Sequence, residues 1–391
     1  MIASEKALEI LKGASKNLKT EILPLLQCLH MVSAEEVSAP IDVPSFDNSA
    51  MDGYAFRFSD YNEGEVLKIT TEIQAGASEI QPLKKAEVAR IFTGAPLPPD
   101  ADTVVPQEDV LIEEGVLKFK KEIQINANIR KKGTQTIKGN VILKKNTLIT
   151  PEYIGFLATF GIASLRVFSL PKIGIIVTGK ELIPAGKPIK EHQIFESNSV
   201  FLSAALLQLG IQPIFTHWVD DDEDALLDMV QKQLEKVDVL IFTGGISVGD
   251  YDFVKPVLEK LGTKEQFYKV KQKPGKPLFY GKLNDKDLFA LPGNPSAVVM
   301  CYHVYLKPFI LEKMGLEVFG DQYFAFLLND YTKKQGLTHF VKAFVKENQV
   351  EILGNQLSYQ MDAYAKANAF AVLPDGQEYF PKGEKVKIIR F

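Results

Sequence analysis

The chain has few cysteines and lacks long apolar runs. Its 391 residues include two cysteines, Cys28 and Cys301, which lie far apart and outside any Cys-x-x-Cys pattern. This excludes a disulfide framework and a thiolate zinc site, and it is typical of a reducing compartment. The N-terminal segment carries charges throughout, and no stretch approaches the roughly 18 apolar residues of a membrane span. We therefore expect a soluble, cytoplasmic protein without a signal peptide.

The chain also lacks an excess of positive charge. Its formal net charge is −4, so nothing in the overall balance favours binding to nucleic acid or to a membrane surface. Apolar residues make up 46% and charged residues 24% of the chain, which is the balance of a globular protein with sizeable cores. At roughly 150 residues per domain, this length allows two or three domains.

Strand–helix alternation dominates the second half of the chain. The apolar runs "KIGIIVTG", "DVLIFTGG" and "LFALPG" predict strands buried on both faces, with helices such as "SVFLSAALLQLG" between them. This alternation predicts an α/β fold built on a doubly wound, three-layer α/β domain. From about residue 320 onward, short β-rich pieces predict a small C-terminal β domain.

The first half of the chain has a different pattern of predicted elements. Residues 5–12 and 21–38 are expected to be helical, because their apolar residues recur at helical spacing. Between residues 60 and 149, short β-rich pieces alternate with Gly, Pro and Asp, which predicts a small β domain. A helix is expected to start at Pro151 and to end near Gly161.

Carboxylates follow several of the predicted strands. Glu181, Asp221, Asp250 and Asp252 come after strand ends, and the last two directly follow the glycine-rich turn "TGGISVG". Ligands of an open α/β sheet bind beyond the carboxyl ends of its strands. Turns need glycine and aspartate caps helices, so structural roles explain part of the pattern. The convergence of four carboxylates favours a Mg²⁺ ion beside a phosphate-bearing ligand.

The same glycine turn leaves a second interpretation open. Residues 245–249 match the Gly-x-Ser-x-Gly pattern of a serine hydrolase, with Ser247 as the nucleophile. Such an enzyme needs a histidine later in the chain, where His303 and His339 are the candidates. His303 lies in an apolar helical stretch, which is typical of a core residue. The hydrolase therefore stays a minor alternative.

Two segments concentrate positive charge. In the stretch "KVKQKPGKPLFYGK", prolines and Gly275 stiffen the backbone that carries the lysines. Such a segment beside a carboxylate-rich edge favours binding of a phosphate or an oxyanion such as molybdate over the alternative interpretation, a solvated edge of the sheet. For "NIRKKGTQ" (128–135), a solvated loop and a functional loop are equally good interpretations. The lysines of the first segment are Lys269, Lys271, Lys273, Lys276 and Lys282.

Several longer motifs carry a family resemblance. The stretches "FDNSAMDGYAF" (46–56), "IFTGAPLP", "TGKEL", "TGGISVGDYDFVK", "KPGKPLFYGK" and "LPGNPSA" occur in this order along the chain. Their sequence and spacing resemble the MoeA/gephyrin E-domain family, the molybdopterin molybdenumtransferases, essentially from end to end. The α/β domain alone would be ambiguous, and the first motif together with the β domain decides the choice.

The resemblance implies a homodimer with four domains per chain and an active site shared between subunits. The domains would be an α/β molybdopterin-binding, MogA-like domain (1–20 with 172–319), a helical/β linker and dimerisation domain (21–45 with 139–171), an inserted β domain (46–138) and a C-terminal β domain (320–391). The reaction would insert molybdenum from molybdate into adenylylated molybdopterin with Mg²⁺, releasing AMP. Other proteins of molybdenum cofactor biosynthesis are expected partners.

The resemblance also implies roles for individual residues. The expected catalytic residues are Asp52, Thr93, Glu181, Asp221 and Asp252. Of these, Glu181, Asp221 and Asp252 are the expected metal ligands. Ser247 would lie in the turn that holds the pterin-linked phosphate. The expected substrate-binding residues are Gly244, Gly245, Ser247, Gly249, Lys269, Lys273, Lys276, Pro292 and Asn294.

The chain departs from the family pattern in two places. Thr134 and Gln135 stand where relatives usually carry a Glu-Asp pair, and Ala297 stands where many relatives have serine. The first departure leaves a third hypothesis open, a pterin-binding scaffold without catalysis, although the retained carboxylates argue against it.

In the stretch 46–56, Asp52 is the expected chemical residue. Asp47, Asn48 and Ser49 are expected to hold the turns through side chain–backbone hydrogen bonds. Phe46, Met51 and Tyr54 are expected to anchor the loop.

Overall fold

A computed structural model describes residues 1–14, 19–220, 222–246, 252–318 and 322–391. Within these ranges the chain forms two compact units. The larger unit comprises residues 1–34, 146–150 and 164–391, and the smaller unit comprises residues 35–145 and 151–163. The finer division into four domains stays a prediction. None of the described helices is long and apolar enough to cross a membrane.

A six-stranded sheet forms the centre of the larger unit. Its first four strands are parallel, and the last two are antiparallel to their neighbours. The two strands that lead into the glycine-rich loops are buried along their whole length, as their apolar runs predict. In spatial order the strands are Phe215–Val219, Ile173–Thr178, Val239–Thr243, Lys286–Leu291, Phe279–Leu283 and Lys264–Tyr268.

Helices cover both faces of this sheet. One core cluster joins alternate strand residues, such as Ile175 and Ile241, to the helices Ser4–Ala14, Asn198–Leu207 and Pro295–Cys301. The other joins the intervening strand residues to the helices Glu223–Leu234 and Val254–Lys260. Alternate side chains of a strand point to opposite faces, so the sheet has a helical layer on each side. The predicted doubly wound, three-layer α/β fold is confirmed.

A long helical segment completes the first layer. Pro295–Cys301 continues through a π-helical turn, Tyr302–Leu306, into the helix Lys307–Lys313. Pro295 lies in the first turn, where its missing N–H costs no helical hydrogen bond.

A second six-stranded sheet follows in the larger unit and has its own apolar core. Thr338–Lys346 also pairs with Ala369–Leu373, so the sheet closes on itself. Its first strand, Gln272–Lys273, comes from the basic segment that connects to the α/β sheet. The strands in order are Gln272–Lys273, Thr338–Lys346, Gln349–Ile352, Tyr323–Leu327, Lys385–Arg390 and Ala369–Leu373; Tyr331–Thr332 pairs with Tyr379–Phe380 nearby.

The smaller unit contains the predicted β-rich region. Two short strand pairs flank its main sheet, Asn48–Ser49 with Ile129–Arg130 and Val37–Ser38 with Val141–Leu143. Short helices span Phe58–Asn62 and Pro151–Ala158. The strands of the main sheet, in order, are Thr103–Pro106, Gly53–Phe56, Glu87–Ile91, Lys68–Ile73, Val116–Phe119 and Val110–Glu113.

The helix predicted over residues 21–38 is wrong. Thr20–Pro24 is a strand, Leu25–Cys28 is a single 3₁₀ turn, and Val32–Ser33 is again a strand. Both strands pair with Ser164–Phe168, more than a hundred positions away. Pairing with a distant segment satisfies the backbone of this region, and it outweighs the helical spacing of the leucines.

Candidate functional site

The main cavity of the larger unit lies at the carboxyl ends of the parallel strands. Its volume is about 940 Å³. The strands Ile173–Thr178, Val239–Thr243 and Lys286–Leu291 all lead directly into its wall. This is the edge at which open α/β sheets bind their ligands. Of the predicted site residues, the lining includes Glu181, Gly244, Gly245, Asp252, Lys273, Lys276, Pro292 and Asn294.

Two glycines of the cavity wall are required by close approach. Gly244 has φ +91°, and a Cβ atom there would lie 2.5 Å from the carbonyl oxygen of Thr178. Gly245 has φ +58°, and its Cβ would lie 2.8 Å from the Thr178 hydroxyl. Any side chain would therefore clash with the neighbouring strand end, in addition to the strain of a positive φ. This crowding explains why two adjacent glycines follow the strand Val239–Thr243.

The acidic wall of the cavity contains Glu181 and Asp252. Burial raises the pKa of the nearby Tyr268 phenol, and the negative charge of Asp252 raises it further. Within the described ranges, no group of three or more metal-ligating side chains is close enough to hold a metal ion. Asp221 and Asp250, which complete the predicted acidic cluster, lie outside these ranges.

The basic wall is a tight turn that carries Lys273 and Lys276. Gln272, only 1% exposed, precedes it. The amide nitrogen of Gln272 donates to the carbonyl of Gly275 at 2.7 Å, and its amide oxygen accepts from the Tyr305 hydroxyl. A buried amide held by both ends fixes the turn between the two lysines.

Gly275 allows the same turn to pack closely against the helix Pro295–Cys301. Its φ is +76°, and a Cβ atom would lie 2.8 Å from the terminal methyl group of Met300 and 2.9 Å from the sulfur of Cys301. The turn has little room to move, so the backbone that bears the two lysines is held from both sides. Lys273 also lies on the strand that pairs with Thr338–Lys346.

The C-terminal region supplies a wall that the motifs did not predict. Gln356, Leu357, Ser358 and Tyr359 line the cavity, and Tyr359 is 70% exposed. The ammonium group of Lys342, a residue only 2% exposed, donates to the carbonyls of Leu357 at 3.3 Å and Gln360 at 2.8 Å. This wall is therefore clamped from within the C-terminal sheet.

Three residues that line the cavity carry buried polar atoms without partners among the described residues. Within the described part of the chain, the Thr178 hydroxyl, the Asn198 amide oxygen and the Asn294 amide oxygen accept and donate no hydrogen bond. All three residues line the cavity. Thr178 and Asn198 were not predicted as site residues, although "TGKEL" includes the first of them.

Asp52 and Thr93 lie together in the smaller unit. The backbone N–H of Thr93 donates to one carboxylate oxygen of Asp52 at 2.8 Å, and the Thr93 hydroxyl donates to the same oxygen at 2.7 Å. These bonds, and the positive charge of Arg90, hold the pKa of Asp52 below its ordinary value. The pair is exposed and carries a fixed negative charge.

The turns around Asp52 are held as predicted. Asp47 accepts from the backbone N–H of Lys132 at 2.7 Å, Asn48 donates to the carbonyl of Phe46 at 3.2 Å, and Ser49 donates to the carbonyl of Met51 at 2.6 Å. Side chain–backbone bonds of this kind replace regular structure in such a stretch.

The predicted anchoring of this loop is only partly right. Tyr54 is buried, at 6% exposure, but Phe46 and Met51 are 46% and 42% exposed. The latter two are held by their neighbours' hydrogen bonds and do not bury their side chains within the chain, so the prediction for them is wrong.

The basic loop 128–135 is tied to carboxylates of the same unit. Lys131 lies 3.2 Å from Asp47, and Lys132 lies 3.4 Å from Asp42. The Thr134 hydroxyl donates to the carbonyl of Lys131 at 2.8 Å. These contacts favour the structural interpretation of the loop.

Several predicted residues lie elsewhere. Lys269 is not among the cavity-lining residues of the described chain, and its ammonium group lies 4.8 Å from the centre of the Tyr268 ring. Asp221, Ser247 and Gly249 lie outside the described residues.

The histidine of the hydrolase alternative packs among aromatic rings. The His303 ring stacks on Phe391 at 4.5 Å and contacts Tyr302 and Phe370. Burial and the charge of Lys307 lower the pKa of His303 to about 3. These contacts are those of a core residue, as the apolar sequence around His303 predicts.

Three family models match successive parts of the chain. The model described as "MoeA N-terminal region (domain I and II)" matches residues 2–161, and "Probable molybdopterin binding domain" matches residues 174–312. The model "MoeA C-terminal region (domain IV)" matches residues 325–391.

Relatives of known name match almost the whole length. The molybdopterin molybdenumtransferase of Haemophilus influenzae is 34% identical over 381 residues, covering 95% of this chain and 94% of that protein. The enzyme of the same name from Bacillus subtilis is 35% identical over 388 residues, covering 95% and 90%. Two crystal structures of the molybdopterin biosynthesis MoeA protein from Pyrococcus horikoshii superpose with TM-scores of 0.82 and 0.83, at 29% and 25% identity. Both comparisons cover 100% of this chain and at least 99% of the other.

Proposed function

The chain belongs to the family of the molybdopterin molybdenumtransferases, and from this premise we propose how its own residues carry out the reaction. It is an enzyme of molybdenum cofactor biosynthesis that inserts molybdenum. Its substrates in this proposal are adenylylated molybdopterin and molybdate. Its products are the molybdenum cofactor and AMP.

The proposal rests on the charged side chains that line the main cavity. Glu181 and Asp252 line the same cavity of about 940 Å³ as Lys273 and Lys276. The lysines suit the negative oxygens of a phosphoanhydride and of molybdate, because each ammonium group offers charge-assisted hydrogen bonds. A cavity of this size suits a heterocycle with its attached phosphates.

The proposed step exchanges a phosphoanhydride bond for bonds to molybdenum. The bond between the adenylate phosphorus and the bridging oxygen breaks, and the bridging oxygen stays on the phosphate of molybdopterin. One molybdenum–oxygen bond of molybdate also breaks, and its oxygen completes the phosphate of AMP. The two dithiolene thiols release their two protons to solvent, and their sulfurs bond the molybdenum in place of the lost oxygen. Molybdenum keeps its oxidation state, so the step needs no oxidant or reductant. Lys273 and Lys276 stabilise the negative charge of the reacting oxygens.

Mg²⁺ is the proposed cofactor. Carboxylate oxygens are the ligands that Mg²⁺ prefers, and Glu181 and Asp252 provide them beside the lysines. Asp221 is the third proposed ligand. When bound, Mg²⁺ supplies positive charge that offsets the charge of the phosphates.

Asp52 is proposed to act from the partner subunit of a homodimer. Its carboxylate is exposed and ionised, and Thr93 fixes its direction through two hydrogen bonds to one oxygen. The other oxygen is available to accept a proton or a hydrogen bond from the substrate. Thr93 is proposed to hold Asp52 in this orientation.

A direct assay tests the proposal. The purified protein is mixed with adenylylated molybdopterin, molybdate and Mg²⁺, and AMP is measured over time. We expect AMP release that depends on molybdate and is lost after chelation of Mg²⁺. AMP release that is absent, or that proceeds equally without molybdate, would contradict the proposed reaction.

A further inference from the structure

Asp52 lies at the start of the central strand of three. The strand Gly53–Phe56 directly follows it and lies between Glu87–Ile91 and Thr103–Pro106. Arg90 belongs to the first of these neighbours, where its backbone is opposite the central strand. The direction of the Asp52 side chain therefore depends on how the three strands are held together at this end of the sheet.

The Arg90 side chain bridges these strands. Its guanidinium donates to the Gly53 carbonyl at 3.3 Å and to the side-chain oxygen of Gln107 at 2.5 Å. Gln107 directly follows the third strand, and its backbone N–H donates to the carbonyl of Asp52 at 3.0 Å. One side chain thus bonds both the residue after Asp52 and the residue that holds the backbone of Asp52.

Two aromatic rings pack on the same guanidinium. Its central carbon lies 4.8 Å from the centre of the Tyr54 ring and 5.0 Å from that of the Phe92 ring. A planar guanidinium can pack on aromatic rings and donate hydrogen bonds from its edge at the same time, whereas an ammonium group does not reproduce both. The position therefore favours arginine and not merely a positive charge.

Arg90 and Thr93 contact the Asp52 region from the same stretch of chain. Thr93 gives its backbone and side-chain hydrogen bonds to one oxygen of the Asp52 carboxylate. These two bonds lower the pKa of Asp52, and the positive charge of Arg90 adds to their effect. Thr93 therefore holds the carboxylate, and Arg90 holds the backbone that carries it.

We propose that Arg90 is a positioning residue for the reaction: by bridging the three strands, it sets the direction in which the Asp52 carboxylate meets the substrate. Arg90 does not touch the substrate in this proposal and acts through Asp52. The inference rests on the proposed function, in which Asp52 takes part in the chemistry.

Matched arginine variants test this role. Arg90→Met removes the bridge and the charge, and Arg90→Lys keeps the charge without the bridge. Arg57→Met is the control, because Arg57 follows the other end of the same central strand, where it donates to the Leu83 carbonyl and lies 3.8 Å from Asp60. Turnover and KM are measured from molybdate-dependent AMP release, and the melting temperature of each variant is recorded.

We expect Arg90→Met to lower kcat by about 10- to 30-fold with little change in KM, because a displaced reactive group reduces turnover more than binding. Arg90→Lys should lower kcat by about 5-fold or more, since an ammonium group does not reproduce the bridge. Arg57→Met should lower the melting temperature and leave kcat unchanged.

The same change is made in the Asp52→Asn variant. There, Arg90→Met should lower kcat by less than about 2-fold, because a residue that acts through Asp52 has little further effect once that carboxylate is lost. A purely structural role would instead give the same loss with and without Asp52→Asn.

A second measurement needs no substrate. Hydrogen exchange of the Thr93 backbone N–H reports whether its bond to Asp52 is kept, and NMR of protein labelled with ¹⁵N-threonine follows it. We expect exchange about 10-fold faster in Arg90→Met and unchanged in Arg57→Met.

Four results would overturn the inference: unchanged kcat in Arg90→Met, full turnover of Arg90→Lys, equal losses with and without Asp52→Asn, or unchanged exchange of the Thr93 N–H in Arg90→Met. The proposed function fails separately, through absence of molybdate-dependent AMP release by the unaltered protein. Faster Thr93 exchange in Arg90→Met without such release would keep Arg90 as the residue that holds Asp52 and remove the reaction.

Discussion

The Asp52–Thr93 pair of the smaller unit and the cavity of the larger unit differ in how their polar groups are hydrogen-bonded. One oxygen of Asp52 receives two hydrogen bonds from Thr93 without any ligand. In the cavity, the Thr178 hydroxyl and the Asn198 amide oxygen are without partners among the described residues. The first region holds its carboxylate through its own hydrogen bonds, and among the described residues the second region leaves these two atoms unbonded.

This difference indicates that the two regions are preorganised for the reaction in different ways. The Asp52 carboxylate is oriented and charged in advance, so its reaction partner meets a fixed group. In the cavity, buried hydrogen bonds of Gln272 and Lys342 hold two parts of the wall, whereas the buried Thr178 hydroxyl and Asn198 amide oxygen have no partner among the described residues.

The largest expected effect concerns Asp52. Asp52→Asn removes the charge, and the amide cannot accept from Thr93 and present a second acceptor in the same way. We expect turnover to fall by about 100-fold or more, the usual contribution of a positioned acid–base group. The measurement is molybdate-dependent AMP release.

Asp47→Asn is the matched control for that variant. Asp47 lies in the same stretch, and its carboxylate holds the backbone of Lys132. We expect a lower melting temperature and unchanged turnover. Equal turnover of Asp52→Asn and the unaltered protein, or equal losses in both variants, would remove Asp52 from the chemistry.

The next effect concerns the basic wall of the cavity. Lys276→Met should weaken binding of inorganic pyrophosphate by about 10- to 100-fold, because it removes a charge-assisted hydrogen bond. Lys271→Met is the control, since Lys271 lies in the same segment but not among the described cavity-lining residues. Equal losses in the two variants would mean that the segment acts through its overall charge.

A smaller effect is expected at the clamp of the basic turn. Gln272→Leu leaves the Gly275 carbonyl and the Tyr305 hydroxyl without their buried partner. We expect the free energy of unfolding to fall by about 1–3 kcal/mol, and pyrophosphate affinity to fall several-fold. Tyr305→Phe should have a weaker effect on affinity, because the bond to Gly275 remains. A loss of stability with unchanged affinity would show that Gln272 serves the core alone.

The smallest effect concerns a polar atom outside the cavity. Nδ1 of His303 has no partner within the described chain, yet its ring is surrounded by aromatic side chains. The pKa of His303 is lowered from 6.5 to about 3, mainly by burial. Between these two pKa values the unfolded chain binds one more proton than the folded chain, so stability falls as pH falls.

His303→Phe should remove part of that pH dependence. We expect about 1.5 kcal/mol less loss of unfolding free energy between about pH 6.5 and pH 5, with unchanged turnover. Urea unfolding at both pH values measures it. A large loss of turnover would instead support a catalytic histidine.

The sequence predicts the α/β part of the fold well, for physical reasons. Strands buried on both faces, such as Val239–Thr243, leave continuous apolar runs, and the glycines after them are required by close approach. Carboxylates and lysines are chemically distinctive, so Glu181 and Asp252 could be placed at the strand ends in advance, and Lys273 and Lys276 on a basic segment beside them.

Other parts could not be predicted because they depend on distant contacts. The region 21–38 becomes strand through pairing with Ser164–Phe168. The cavity wall at Gln356–Tyr359 contains no distinctive motif, and its position is set by Lys342. Thr178 and Asn198 stand out only when their missing hydrogen-bond partners are known.

The central claim is that Asp52 and the cavity serve one reaction from two subunits of a homodimer. Asp52→Asn and Lys276→Met are co-expressed with different affinity tags, and the mixed dimer is isolated and assayed at a substrate concentration at which each variant alone is nearly inactive. The claim predicts recovery of about half of the unaltered turnover, because one of the two symmetric sites then has both residues intact. A mixed dimer as inactive as either variant alone would contradict it.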